Sequence, residues 1–429
     1  MYSLIEDKLL KMTISEKVQL CHAATMFSVK GIERLAIPDI NMTDGPHGLS
    51  PEARLLQVDS SEVSGDESSY LPVGTALAAT WNPDLARRHG VVLGAETRHR
   101  GKDVILGPGF NIMRSPLCGR NFEYFGEDPH LVSSLVGEVI RGIQSQGVAA
   151  CAKHYVCNSQ ELDRYDVDAL PSERALREIY LPGFKAAVDA GVLSIMTGYN
   201  KFRGQWCSQN DYLINQVLKT EWGFQGLVMS DWGGVRNNAH EPALSGLDIE
   251  MGTMREDEDY FLNHEFKVAL ENGEIEEEVL NDKVRRILFV LKSIGAIGKN
   301  SSARPKGERN TSHHHAECLA IAKEAMVLLK NESSVLPLSK NINKLLIVGN
   351  QADMQFFNGG GCCAVHSPYE ITPLDGIRKL IGNQVEIEHC LDPLPQTGHP
   401  IPSHYLKACS AEKNVEGWLG TLYNDSRGQ

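Results

Sequence analysis

From residue 38 to about residue 295 the chain alternates short apolar runs with longer amphipathic stretches. Apolar runs bounded by Gly, Pro or Asn read as buried strands. Stretches with apolar residues every three or four positions read as helices that pack by one face. The pattern predicts strands at 38–43, 104–107, 148–154, 193–199, 227–230 and 248–251, and helices at 131–144, 173–190, 212–221 and 274–294. Repeated strand–helix units of this size imply a parallel sheet with helices outside it. Each strand runs out into polar or Gly-rich residues: Thr43-Asp44-Gly45-Pro46, Gly107-Pro108-Gly109, Lys153-His154, Gly198-Tyr199-Asn200 and Ser230-Asp231. Chemistry spread over several strand ends favours a TIM-type (β/α) barrel over a doubly wound sheet, which gathers it at one switch point. The fold class is therefore α/β, with a barrel over 1–298. Residues 299–312 read as a polar linker. A partial α/β sandwich domain follows over 313–414, opening with a helix at 316–329 and a strand at 344–349, and a fresh strand-like pattern begins at 415–429.

Composition narrows the partners. At 429 residues the chain exceeds what one core usually covers, and 42% hydrophobic with 23% charged residues is ordinary for a globular protein. A formal net charge of −13 argues against nucleic acid or an anionic membrane surface as partner. No apolar run is long enough to span a bilayer, and Glu6, Asp7 and Lys8 interrupt the amino terminus where a signal peptide would be apolar. A cytoplasmic protein acting on a small molecule is expected. The ten cysteines include an adjacent pair, Cys362-Cys363, rather than a CxxC clip, and no His stands at ligand spacing. Free thiols in a reducing compartment are expected, with no metal and no organic cofactor. The run His313-His314-His315 reads as part of the solvated linker.

The residues with chemistry cluster in a few segments. Leu227-Val-Met-Ser-Asp-Trp-Gly-Gly-Val235 places Asp231 where a buried strand stops, beside Trp232, with two glycines that let the backbone turn. A barrel presents an acid, base or nucleophile in this way, although a lone Asp at a strand end also serves as a helix cap. Asp44 lies on a tight turn where its carboxylate can accept two hydroxyl hydrogen bonds from one sugar ring. Arg120 stands among aromatics, Lys153 and His154 at the mouth of a strand, Asn158, Glu161 and Arg164 on the loop after it, and Tyr199 at the next strand end. Each has a structural reading when taken alone: an ion pair or Schiff-base lysine for Lys153, a core histidine for His154, a loop-holding salt bridge for Arg120 with Glu123. Together they make the dense polar site with Trp and Tyr faces that a carbohydrate needs, since a sugar presents many hydroxyls and one apolar face.

Asp44-Gly-Pro-His-Gly48, Gly119-Arg-Asn-Phe-Glu123 followed by Glu127-Asp-Pro129, Lys153-His-Tyr155, Glu173-Arg-Ala-Leu-Arg-Glu-Ile-Tyr-Leu181 and Met229-Ser-Asp-Trp-Gly233 resemble glycoside hydrolase family 3, its β-glucosidase-like members above all. The resemblance runs from about residue 5 to the end of the chain. It implies a retaining exo-glycosidase acting on terminal non-reducing β-D-glucosyl or related residues. It further implies Asp231 as nucleophile, and Asp44, Arg120, Lys153, His154, Arg164, Tyr199 and Trp232 as residues that hold the sugar. In members of this type the acid/base is a Glu of the second domain, well beyond Gly359-Gly-Gly361, and residues 416–425 resemble the opening strand of an inserted lectin-like domain. The chain is therefore expected to stop before that Glu, which leaves a truncated, catalytically impaired sugar-binding homologue as the alternative. A barrel lyase or aldolase using Lys153 as a Schiff base is a third reading. Two departures bear on affinity: Ser50 stands where members have an Arg, with Arg54 a possible substitute, and Cys362-Cys363 replaces serines. An incomplete second domain would leave an exposed half-sheet prone to self-association.

Overall fold

The computed structural model describes residues 2–51, 67–252, 260–298, 303–339, 341–355, 361–391, 407–409 and 414–416. Arg54 and residues 417–429, on which two of the sequence readings rest, lie outside them. The six-stranded sheet of the first unit comprises β1 (Ser28–Val29), β2 (Ile40–Asp44), β3 (Val104–Leu106), β4 (Ala149–Tyr155), β5 (Ser194–Thr197) and β6 (Leu227–Met229), hydrogen-bonded in that order, and a separate small sheet joins Asp168–Ala169, Lys201–Phe202 and Gln205–Trp206. β2 to β6 run parallel, with Thr43 beside Ile105, Ile105 beside Ala150, Ala152 beside Ile195 and Ile195 beside Val228. Every residue of β4 is buried, as expected of a parallel strand with helices on one side and a filled interior on the other.

The ring departs from regular barrel geometry at its closing seam. The strand expected at 248–251 is present as single-residue bridges, Met229 to Ile249 and Glu250 to His22. The Asp248 side chain does part of the ladder's work: its Oδ2 accepts the Val228 amide at 2.7 Å and its Oδ1 the Lys219 ammonium at 2.9 Å. The Ala23 amide then donates to the Glu250 carbonyl at 2.9 Å, and the chain folds back so that β1 pairs antiparallel with β2. Hydrogen bonds thus pass round the whole ring through a hairpin that the apolar pattern did not reveal.

The helices follow their caps. Asp128 and Asn82 accept first-turn amides, and Pro129 and Pro83 open the helices Pro129–Gln144 and Pro83–His99. These two helices approach so closely that a Cβ on Gly142 would lie 2.2 Å from the Arg87 carbonyl oxygen. The helix expected over 173–190 is broken instead into Glu173–Ala175, a wide π turn over Leu176–Tyr180 and Pro182–Asp189. Pro182 supplies no amide to the preceding turn, which accounts for the break.

The polar segment after the barrel is tied down. Arg304 bonds Asp103 at 2.8 Å and the Gly147 carbonyl at 2.7 Å. The three histidines are not in a solvated linker, contrary to the sequence reading. They form the first turn of a helix, Ser312–Glu324, capped by Thr311, that starts and ends earlier than expected. His314 is buried, and its Nδ1 lies 2.9 Å from Glu96 Oε1. Glu96 also accepts the Ser68 hydroxyl, the Ser69 amide and the Asn310 amide. Burial raises the Glu96 carboxyl, but the hydrogen bonds from His314, Ser69, Ser68 and Asn310 outweigh it and hold it at about 2. The first compact unit comprises Met1–Val327 with Phe357–Pro368.

The second unit, Leu328–Phe356 with Tyr369–Gln429, contains a parallel pair, β7 (Lys344–Val348) beside β8 (Glu386–Cys390), and the amphipathic helix Pro373–Ile381. Leu329, Leu336 and Leu380 of this unit are exposed. None of the helices among the described residues is long and apolar enough to cross a membrane.

The Glu96 hub yields a test. Glu96→Gln keeps the size but turns an amide NH2 toward groups that already donate, and should cost about 1–3 kcal/mol at pH 7 in urea unfolding. The folded carboxyl lies below its unfolded value, so its contribution is complete above about pH 5 and is lost as pH falls toward about 2. The gap between wild type and variant should shrink over that window, and a gap that stays constant from pH 7 to about pH 3 contradicts the assignment.

Candidate active site

The strand ends converge on one cavity of about 520 Å³, within the roughly 300–1,000 Å³ usual for small-ligand sites. Asp44, Arg120, Lys153, His154, Arg164, Tyr199, Asp231 and Trp232 all line it, so these eight are brought to one place, whereas Asn158 is buried and not among the lining residues. Met26, Phe27, Phe122, Glu161, Met196 and Cys362 also line it. Ser50 is fully buried and is not among the lining residues.

β6 carries Asp231 to the cavity. Leu227, Val228 and Met229 are buried, and Ser230 anchors the strand end by accepting the Met251 amide on its hydroxyl at 2.9 Å. Gly233, at φ +68°, then turns the chain away. Asp231 is buried, with 6% of the residue exposed. Its Oδ1 accepts the Trp232 amide at 2.8 Å, while Oδ2 lies 3.7 Å from His154 Nε2. Among the described residues Oδ2 accepts no hydrogen bond of ordinary geometry, although the Tyr199 hydroxyl stands close enough to the carboxyl to favour its charged form. Burial raises the Asp231 carboxyl above its ordinary range, and Arg120, the Trp232 amide, Tyr199 and Lys153 offset this only in part.

His154 is held by Asn111, whose amide NH2 donates to the His154 carbonyl at 2.8 Å while its oxygen accepts the His154 backbone amide at 2.9 Å. That pair fixes which end of the Asn111 side chain is oxygen. The same oxygen lies 3.2 Å from His154 Nδ1, which favours the Nδ1–H tautomer and leaves a lone pair on Nε2 toward the cavity. Burial, with Arg120, Lys153 and Arg164 nearby, pushes the imidazole well below its ordinary range, so it is neutral.

The cavity wall carries a chain of alternating charge. Lys153 Nζ is 3.2 Å from Asp44 Oδ1 and 3.8 Å from Glu123 Oε1. Glu123 receives Arg120 through Nε at 2.8 Å and Nη2 at 3.1 Å. Arg120 Nη1 is 4.0 Å from Glu161, which binds Arg164 at 2.8 Å. Burial raises the Glu123 carboxyl, yet Arg120 and Lys153 outweigh it and hold it below the usual range. Burial likewise lowers the Lys153 ammonium, and Asp44 and Glu123 more than reverse that. Arg164 lies 4.4 Å over the Tyr199 ring, whose phenol is pushed up by burial and by the Asp231 charge.

An aromatic face completes the site. Trp232 donates its indole N–H to the Met26 carbonyl at 2.8 Å and packs on Phe27 at 5.2 Å between ring centroids. Phe27 and Met26 belong to the closing hairpin and carried no signal in the sequence. Glu123 was legible only as a loop salt bridge with Arg120, and its place between Arg120 and Lys153 required the fold. A set of hydroxyl-binding charges, an aromatic face and one under-bonded carboxylate can hold a polyhydroxylated ring and attack it.

The model of the glycosyl hydrolase family 3 N terminal domain matches residues 55–290, and that of the family's C-terminal domain matches residues 326–416. The chain is 41% identical over 397 residues to Beta-glucosidase BoGH3A of Bacteroides ovatus, covering 89% of this chain and 52% of that protein. It is 39% identical to a Beta-glucosidase of Rhizobium radiobacter, covering 90% of this chain and 46% of that one. Beta-glucosidase 3B from Thermotoga neapolitana, solved in complex with alpha-D-glucose, superimposes with a TM-score of 0.81 at 35% identity, over 90% of this chain and 55% of that one. DesR, a beta-glucosidase from Streptomyces venezuelae solved with D-glucose, gives 0.81 at 32% identity, over 91% and 50%. The chain spans about half the length of the curated relatives it matches.

Glu123→Ala would leave Arg120 and Lys153 buried with one anion fewer, and should cost about 3–5 kcal/mol in urea unfolding. Glu178→Ala removes an exposed i,i+4 partner of Arg174 and should stay within about 0.5 kcal/mol. Equal losses for the two variants would contradict the role given to the charge chain.

Proposed function

The chain belongs to glycosyl hydrolase family 3, and from that premise we propose that its cavity binds one terminal β-D-glucosyl or closely related residue and that Asp231 is the nucleophile of a retaining reaction. The observation that carries the proposal is Asp231 Oδ2: a buried carboxylate oxygen at the end of a parallel strand, without a hydrogen bond of ordinary geometry among the described residues, in a cavity otherwise lined by paired charges. Oδ2 attacks the anomeric carbon, the bond to the leaving oxygen breaks, and the electron pair departs with the aglycone. Water then attacks the same carbon and frees the carboxylate, its lost proton passing through solvent to balance the departed aglycone anion, with configuration retained. Asp44 and His154 accept ring hydroxyls, Lys153 donates to a ring hydroxyl oxygen, Arg120 and Arg164 pair with Glu123 and Glu161 of the wall, Tyr199 stands beside Asp231, and Trp232 on Phe27 forms the apolar face.

A second reading, sugar binding with little turnover, draws on the same cavity. Glycosidic oxygens with poor leaving groups need a carboxylic acid to protonate them. Among the described residues, Asp44, Glu123 and Glu161 are all ion-paired, and neutral His154 is a weak acid. Alkyl glucosides should therefore be cleaved far more slowly than aryl glucosides bearing a dinitrophenolate.

The test is kinetic. The dinitrophenyl β-glucoside should be turned over, and Asp231→Ala should lower kcat by on the order of 10³ or more while glucose still binds. The acid limb of kcat/KM should lie above the ordinary carboxylate range, because Asp231 must be ionised to attack and burial raises it. Turnover that survives Asp231→Ala would remove Asp231 from the role. Glucose binding without turnover of the aryl glucoside would favour the second reading.

A further inference from the structure

Cys362 and Cys363 come to the cavity wall beside Glu123, more than two hundred residues away in sequence. Cys362 Sγ lies 3.4 Å from Cys363 Sγ and 3.6 Å from Glu123 Oε2. One ligand atom from each of the three residues falls within 4.8 Å of the others. Tetrahedral Zn²⁺ with bonds of about 2.3 Å to sulfur and about 2.1 Å to oxygen has S···S edges of about 3.8 Å and S···O edges of about 3.6 Å. Two of the three edges, 3.4 Å between the sulfurs and 3.6 Å from Cys362 to Glu123, therefore lie close to those of two thiolates and one carboxylate oxygen on a single ion, and the third lies within 4.8 Å, so that side-chain adjustment closes the set. Two sulfurs select a soft or borderline cation over Mg²⁺ or Ca²⁺.

We propose that Cys362, Cys363 and Glu123 form a binding site for one thiophilic divalent cation, of the Zn²⁺ or Cd²⁺ kind, in the wall of the sugar cavity. The ion takes the place of two thiol protons: both cysteines coordinate as thiolates, Glu123 coordinates through Oε2, and two protons leave for each ion bound. The fourth position stays open to water. Arg120, now 3.5 Å from Cys362 Sγ, keeps Glu123 Oε1 as partner at 3.1 Å. The local charge is unchanged on binding, since two positive charges enter as two protons depart. Because Glu123 Oε2 is drawn from Arg120 to the ion, metal binding weakens the grip on a sugar. That consequence rests on the function proposed above, whereas the metal site does not.

The test uses the whole chain and Cd²⁺. One equivalent should produce the ultraviolet thiolate-to-cadmium absorbance and release two protons. Cys362→Ser and Cys363→Ser should each lower Cd²⁺ affinity by at least about tenfold, the lower end of what disturbing a metal site costs. Cys390→Ser, in the second unit, should leave it unchanged. Absence of the thiolate band at micromolar Cd²⁺, or a band that survives both site variants, overturns the proposal. Saturating Cd²⁺ should also raise the glucose Kd by at least about tenfold, the worth of one charge-assisted hydrogen bond. Equal glucose affinity with and without bound metal overturns the placement in the cavity wall. A chain that binds Cd²⁺ as described but never binds glucose leaves the metal site standing and removes the sugar reading instead.

Discussion

The alternation Asp44, Lys153, Glu123, Arg120, Glu161, Arg164 is the constraint on which the site depends. Each of these charges is costly to bury alone, and each is tolerable because its neighbours carry the opposite sign. The alternation ties the ends of β2 and β4 to the loops at 119–123 and 161–164, so the cavity wall forms only when those segments have come together. The wall carboxylates of Asp44, Glu123 and Glu161 are occupied by cations, and Arg120 and Lys153 hold the Glu123 carboxyl below its usual range.

Asp231 stands outside that pattern. Its neighbour is a neutral His154 at 3.7 Å rather than a guanidinium or ammonium in contact. Burial raises the carboxyl more than the Trp232 amide, Tyr199 and the more distant cations lower it, and Oδ2 accepts no hydrogen bond of ordinary geometry among the described residues. A buried acceptor of that kind is costly unless a ligand meets it, and a reacting carbon is one such ligand. Under the proposed function, the wall of paired charges binds the sugar and the one carboxylate outside those ion pairs reacts with it.

Much of this was legible in the sequence, for physical reasons that can be named. Parallel strands covered on both faces read as apolar runs, so β2, β3, β4, β5 and β6 stand close to where the pattern put them. Their polar ends fixed Asp44, Lys153, His154, Tyr199 and Asp231 as one constellation once a barrel was assumed. Other features left no periodic trace. The seam is closed by single-residue bridges and the Asp248 side chain, neither of which makes an apolar pattern. His314 belongs to a polar run, yet it is buried because Glu96, more than two hundred residues earlier, supplies its partner. Phe27 beneath Trp232, and Cys362 beside Glu123, are contacts between segments far apart in the chain, and local sequence does not encode them.

The account turns on Asp231 being the group that bonds to the anomeric carbon. The most direct measurement is incubation with a 2-deoxy-2-fluoro-β-glucoside bearing a dinitrophenolate, followed by peptide mass mapping. This leaving group needs no proton donor, and the fluorine slows release of the adduct. The account predicts a stable sugar adduct on the peptide that carries Asp231, and on Asp231 within it. An adduct on another residue, or none on folded protein that still binds glucose, would contradict it.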